Sequence, residues 1–129
     1  MTFIIDTQIL IWYSGGSSRL ATSFKDAIEN PQNDIAISSA SLWEIAVKIS
    51  IGKLTMNVSF KNLEDYLSSK HIVTLNFNHQ DLTTLVQLPF HHRDPFDRLI
   101  ISQAITNQLT IITNDTAFKQ YPVQLLDTQ

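Results

Sequence analysis

Four short apolar runs, Phe3-Ile4-Ile5, Ile35-Ala36-Ile37, Ile72-Val73-Thr74-Leu75 and Thr110-Ile111-Ile112-Thr113, alternate along this chain with longer segments of helical spacing. The runs are too short for helices and rich in β-branched side chains, as strands covered on both faces are. Strands that take turns with helices in sequence assemble into a mostly parallel sheet with helices packed against it. The expected fold class is α/β, a sandwich around a central, mostly parallel sheet of four or five strands, the fifth lying within residues 123–126.

The segments between the runs supply the helices. Residues 7–13 read as the first, broken by Gly15-Gly16-Ser17-Ser18. Leu20, Phe24, Ala27 and Ile28 repeat at helical spacing up to Asn30-Pro31. A third helix follows Ser38-Ser39, which are placed to cap it, and sets Leu42, Ile45, Ala46 and Ile49 on one face. Trp43 and Val47 widen that face, and Gly52 is placed to end the helix. Phe60, Leu63 and Leu67 mark a fourth helix, and Leu82, Leu85 and Val86 a short fifth before Pro89. A sixth begins at Pro95 and buries Leu99, Ile100 and Ala104.

No repeat or linker divides the 129 residues, so one domain spanning 1–129 is expected. The absence of cysteine excludes disulfides, thiolate metal sites and a cysteine nucleophile. The first residues lack the basic start and apolar run of a secretory signal. No apolar stretch approaches the roughly 20 residues that span a bilayer. A soluble, cytoplasmic chain without membrane association is expected. A net charge of −3 argues against gripping nucleic acid through a broad basic surface, but it leaves open a site that works through bound cations.

In a parallel sheet the C-terminal strand ends share one edge, where ligands usually bind. Asp6 directly follows the first strand, and Asp115 lies two residues beyond the fourth. Glu44 stands near the start of the helix after the second strand, and Asp97 in the first turn of the helix that leads into the fourth. Each has a purely structural reading. Asp6 and Asp115 suit helix N-caps, Asp97 suits the helix dipole, and Ser41-Leu42-Trp43-Glu44 fits a capping box. As a set they read differently, because Glu44 and Lys48 are nearly the only charges on an otherwise apolar helix. Two like charges about 4 Å apart repel by roughly 4 kcal/mol at an effective dielectric of 20. Converging carboxylates must therefore protonate, spread or bind cations. Oxygen ligands without cysteine suit Mg²⁺ or Mn²⁺, and such ions hydrolyse phosphodiesters with activated water.

Asp6-Thr7 after an apolar strand, Ser41-Leu42-Trp43-Glu44-Ile45-Ala46-Val47-Lys48 with Gly52-Lys53-Leu54, His92-Arg93-Asp94-Pro95-Phe96-Asp97-Arg98, and Thr113-Asn114-Asp115 together resemble the successive motifs of VapC-type PIN-domain toxins. The likeness spans essentially the whole chain, and its two middle blocks are the specific ones. It implies a PIN-like α/β/α sandwich, Mg²⁺ or Mn²⁺ dependence, cleavage of RNA, a homodimer and inhibition by a cognate antitoxin. It carries the acidic, metal-holding and catalytic roles onto Asp6, Glu44, Asp97 and Asp115. Gln8 departs from the pattern, since relatives often have histidine there.

Asp94, Thr113, Arg93 and Arg98 are candidates to support the acids or to contact RNA. Asp94 is also placed as the N-cap before Pro95 at N1. His91 and His92 read as a solvated loop, His71 and His79 as structural, and Trp12 and Trp43 as core or dimer surface. The alternative function is a non-catalytic PIN-like module for RNA binding or assembly. A phosphotransfer domain with Asp6 as nucleophile would want a second acid at position 8, where Gln8 stands.

Overall fold

The structure, a computed structural model, describes residues 1–127. β1 (Thr2–Ile5), β2 (Asp34–Ser38), β3 (Ile72–Leu75), β4 (Thr110–Ile112) and β5 (Gln124–Leu125) form one sheet in the order β3-β2-β1-β4-β5. Every neighbouring pair is parallel. Around it lie α1 (Thr7–Gly15), α2 (Thr22–Glu29), α3 (Ser39–Ser50), α4 (Phe60–Ser69), α5 (His79–Gln87) and α6 (Pro95–Asn107). A 3₁₀ turn over Thr116–Gln120, not expected from sequence, follows β4. The expected parallel α/β sandwich is the observed one, with five strands.

β1 shows why its run is apolar throughout. Phe3 and Ile5 enter one core with Ile9 and Leu10 of α1, Phe24 of α2 and Ile45 of α3. Ile4, on the opposite face, enters a second core with Ile100 and Ile101 of α6, Ile111 and Phe118. Burying each such side chain stabilises the fold by about 1.5–3 kcal/mol. A charge on either face of β1 would forfeit this.

Capping fixes where strand becomes helix. Asp6 Oδ1 accepts the Ile9 N–H at 2.9 Å and starts α1. Ser38 Oγ accepts the Ala40 N–H at 3.0 Å and starts α3. α3 therefore begins too early for Ser41 to be its N-cap, and the Ser41–Glu44 capping box is absent; Ser41 instead accepts the Thr7 hydroxyl at 2.9 Å. Gly52, one residue past the α3 cap, takes the left-handed φ of 75° expected of a helix-ending glycine. α1 runs on to Gly15 and is closed by Gly16 at φ 63°.

One expectation for α3 is corrected. Trp43 and Val47 do not widen its buried face; with Ile51 they form an exposed stripe, Trp43 being 59% exposed and meeting Phe96 edge-on. Four-residue spacing put them on a common face, but beyond the Phe96 contact no element among the described residues covers it. Trp12 is partly buried against the first core. Among the described residues no helix is long and apolar enough to cross a membrane.

Candidate active site

The sheet register brings the site together. Ile5 is level with Ile37 on one side and Ile112 on the other, so Asp6, Ser38 and Thr113 follow at the same edge. The Asp6 N–H extends the ladder by donating to the Ile112 carbonyl at 3.1 Å. Asp6, Glu44, Asp94, Asp97 and Asp115 all line one cleft of about 360 Å³ at that edge, with Lys48 in its wall.

Asp6 is both the α1 cap and a wall of the cleft. Its second oxygen accepts the Thr113 hydroxyl. The carboxyl is 4% exposed, and burial, opposed by these hydrogen bonds and reinforced by Asp115 and Glu44, pushes its pKa up to about 6. Thr113 in turn accepts the Asp115 N–H at 3.0 Å, so one hydroxyl ties two of the acids. Asp115 Oδ1 caps the 3₁₀ turn through the Ala117 N–H at 2.9 Å. The capping roles and the site roles of Asp6 and Asp115 are held by the same side chains.

Glu44 enters from α3, 4% exposed. Its Oε2 accepts from Lys48 Nζ at 2.6 Å, and this bond raises the lysine's pKa. Its Oε1 is buried with no hydrogen-bond partner among the described residues. An unpaired buried carboxylate oxygen is costly, and a cation relieves the cost.

Asp97 sits in the first turn of α6. Desolvation, then Asp94, Asp6, Glu44 and Asp115, raise its pKa to about 8. Asp94 is the α6 N-cap, its Oδ1 accepting from Phe96 N at 2.8 Å and Asp97 N at 3.3 Å, with Pro95 at N1. Asp94→Ala is therefore expected to cost about 1 kcal/mol of stability. A melt in EDTA at pH 5 isolates this loss, because Asp97 is then protonated and gains nothing from removal of its neighbour's charge. Unchanged melting at pH 5 would remove the capping role.

Sequence reasoning missed His92. Its Nε2 lies 2.8 Å from Asp115 Oδ2 and 3.0 Å from Asp97 Oδ2, so the loop read as solvated delivers a ring into the acid cluster. Its own backbone N–H donates to the Tyr121 hydroxyl at 2.8 Å, which donates onward to the Pro89 carbonyl at 2.8 Å. The only sequence signal was its place two residues before Asp94; the partner that positions it is 29 residues away.

Two basic candidates lie elsewhere. Arg98 is buried at 7% exposure, and its guanidinium donates to the carbonyls of Pro89, Leu85 and Leu88 at 2.9, 3.3 and 3.5 Å. It also stacks on Phe90, 4.3 Å from the ring centroid. It clamps the end of α5 to the start of α6 and does not line the cleft. Arg93 is exposed and does not line the cleft.

The donor set fits a hard divalent cation: carboxylate oxygens from four separate elements, one of them buried and unpartnered. Asp6, Glu44, Asp97 and Asp115 are the residues able to hold it. One atom each of His92, Asp97 and Asp115 also lie within 4.8 Å of one another.

The family described as PIN domain matches residues 3–124. Ribonuclease VapC22 of Mycobacterium tuberculosis is 25% identical over 121 residues, covering 93% of this chain and 92% of its own. Among solved structures, VapBC2 from Rickettsia felis, bound to a DNA fragment from its promoter, superposes with a TM-score of 0.73 at 23% identity, covering 98% of each chain. A toxin–antitoxin complex from Klebsiella pneumoniae gives a TM-score of 0.69 at 20% identity, covering 98% of this chain and 97% of the other. DNA-bound VapBC from Salmonella typhimurium gives 0.67 at 18% identity, covering 100% and 99%. These three likenesses are in the fold.

Proposed function

Since the chain belongs to the PIN-domain family, we propose that it is an endoribonuclease that hydrolyses RNA phosphodiesters with the help of Mg²⁺ or Mn²⁺, and that it is the toxin of a toxin–antitoxin pair. One observation carries the reading: Glu44, whose Oε1 is buried without a partner among the described residues, lines a cleft together with Asp6, Asp97 and Asp115. When bound there, the divalent cation supplies water activation and Lewis-acid polarisation of the phosphodiester. Asp6, Glu44, Asp97 and Asp115 hold it. Thr113 and His92 keep the acids in place, and Lys48 holds the outer oxygen of Glu44. One acid orients or deprotonates the attacking water for in-line displacement.

The setting follows from the likenesses. The Klebsiella relative was solved as a toxin–antitoxin complex, and on that likeness a cognate antitoxin is assigned to this chain. An open cleft of carboxylates offers such a protein a bidentate site for an arginine. A single PIN domain over 1–129, a homodimer and a cytoplasmic location complete the proposal.

Purified protein is expected to cut RNA in Mg²⁺ or Mn²⁺ and to stop in EDTA. Cleavage indifferent to chelation would overturn the mechanism. RNA binding without cleavage in either cation would favour the non-catalytic module instead.

A further inference from the structure

His92 is held from three sides. Phe118 meets the ring edge-on, with centroids 5.7 Å apart, and the residue's own N–H is tied to the buried Tyr121 hydroxyl. The third contact is chemical. The Asp94 backbone N–H donates to Nδ1 at 3.1 Å. An N–H can donate only to a lone pair, so Nδ1 is bare and the ring proton resides on Nε2. That same Nε2 lies 2.8 Å from Asp115 and 3.0 Å from Asp97.

A ring nitrogen that carries a proton has no lone pair for a cation. For Nε2 to become a ligand the proton would have to move to Nδ1, where it would face the Asp94 N–H, donor against donor. Asp94 N is set by the start of α6, where its side chain caps the helix, so it cannot readily turn aside. The edge-on packing against Phe118 opposes a ring flip that would exchange the two nitrogens.

We infer that His92 is a positioning residue, a hydrogen-bond strap whose Nε2–H holds Asp97 and Asp115 side by side, and that it is not a ligand of the cation the cleft takes. The inference rests on the proposed metal-dependent reaction. Asp97 comes from α6 and Asp115 from the turn after β4, and the shared donor sets the distance between these two carboxyl groups. Groups that orient metal ligands typically matter by about 10–100-fold in affinity or activity.

Long-range ¹H–¹⁵N correlation on the full ¹⁵N-labelled chain reads the tautomer directly, with His92 identified by its loss in His92→Gln. The Nε2–H form is expected in EDTA and again in Mg²⁺. A proton on Nδ1, alone or together with Nε2, overturns the inference. In Mn²⁺-loaded protein, electron spin echo modulation is expected to show no directly bound ¹⁴N; a ¹⁴N coupling lost in His92→Gln would make the ring a ligand. His92→Ala is expected to lower kcat by about 10–100-fold with KM for RNA little changed. His92→Gln, which keeps an N–H donor, is expected to recover most of that loss. Equal loss in both variants would deny the donor role. If the protein binds neither cation, the proposed function fails, while the tautomer in EDTA still decides the strap.

Discussion

Asp97→Asn is expected to reduce RNA cleavage by on the order of a hundredfold or more, through loss of an anionic ligand, while making the cation-free protein more stable at pH 8. The second effect follows from the raised carboxyl of Asp97, at about 8 against an ordinary 3.8. An acid whose folded pKa is raised destabilises the fold when ionised. That cost is absent below about pH 4, grows as pH rises through the window up to about 8, and is full above it. Asparagine carries no charge at any pH and removes it. At about 1.4 kcal/mol per unit of pKa the full shift would exceed 5 kcal/mol. The Asp97 side chain is 18% exposed and has room to relax, so a gain of about 2 kcal/mol is the sounder expectation, or roughly 5–10 °C in Tm. Melts in EDTA at pH 8 and pH 5 test this, since the gain should shrink strongly at pH 5. An equal gain at both values would mean that relief of a buried charge is not its source. An active Asp97→Asn protein would take Asp97 out of the site.

The second large effect concerns a residue outside the cleft. Arg98→Ala is expected to destabilise the fold by about 2 kcal/mol, because it removes a buried charged donor that ties Leu85, Leu88 and Pro89 to α6. Leu85 keeps the Leu88 N–H and Pro89 keeps the Tyr121 hydroxyl, so Leu88 loses most. The lost stack on Phe90 adds to the penalty. Arg98→Lys should recover less than half, since one ammonium cannot serve three carbonyls in the plane of a guanidinium. A residue whose task was binding RNA would behave oppositely, with a normal melt and a raised KM. That result would sink the clamp.

Local rules carried much of the fold. Phe3-Ile4-Ile5 was legible as a central strand because both its faces are covered, and Pro95 at N1 after Asp94 announced the start of α6. The edge position of Asp6, Glu44, Asp97 and Asp115 followed from parallel topology alone. What stayed hidden depends on contacts between distant segments. His92 looked like a loop residue because Tyr121, which pins it, lies beyond β4. Arg98 was a candidate RNA contact by its place one residue after Asp97, whereas its partners in space are carbonyls in and just after α5. Trp43 was read by spacing as core or dimer surface, and spacing is silent on whether an element of the same chain covers it.

The strand order has a consequence in time. β1 is made first yet lies at the middle of the sheet, between β2 and β4, and β4 is made nearly last. While the chain is being synthesised, one side of β1 stays unpaired until residues 110–112 have emerged. Asp115, Thr113 and Tyr121 come later still, and without them Asp6 has no hydroxyl partner and the His92 loop no anchor. Early pairing of β1 with β2 closes a short span of chain, whereas pairing with β4 closes one of more than a hundred residues, which is intrinsically slow. The cleft draws its walls from both ends of the chain, so it is complete only once β4 and the turn after it have joined β1.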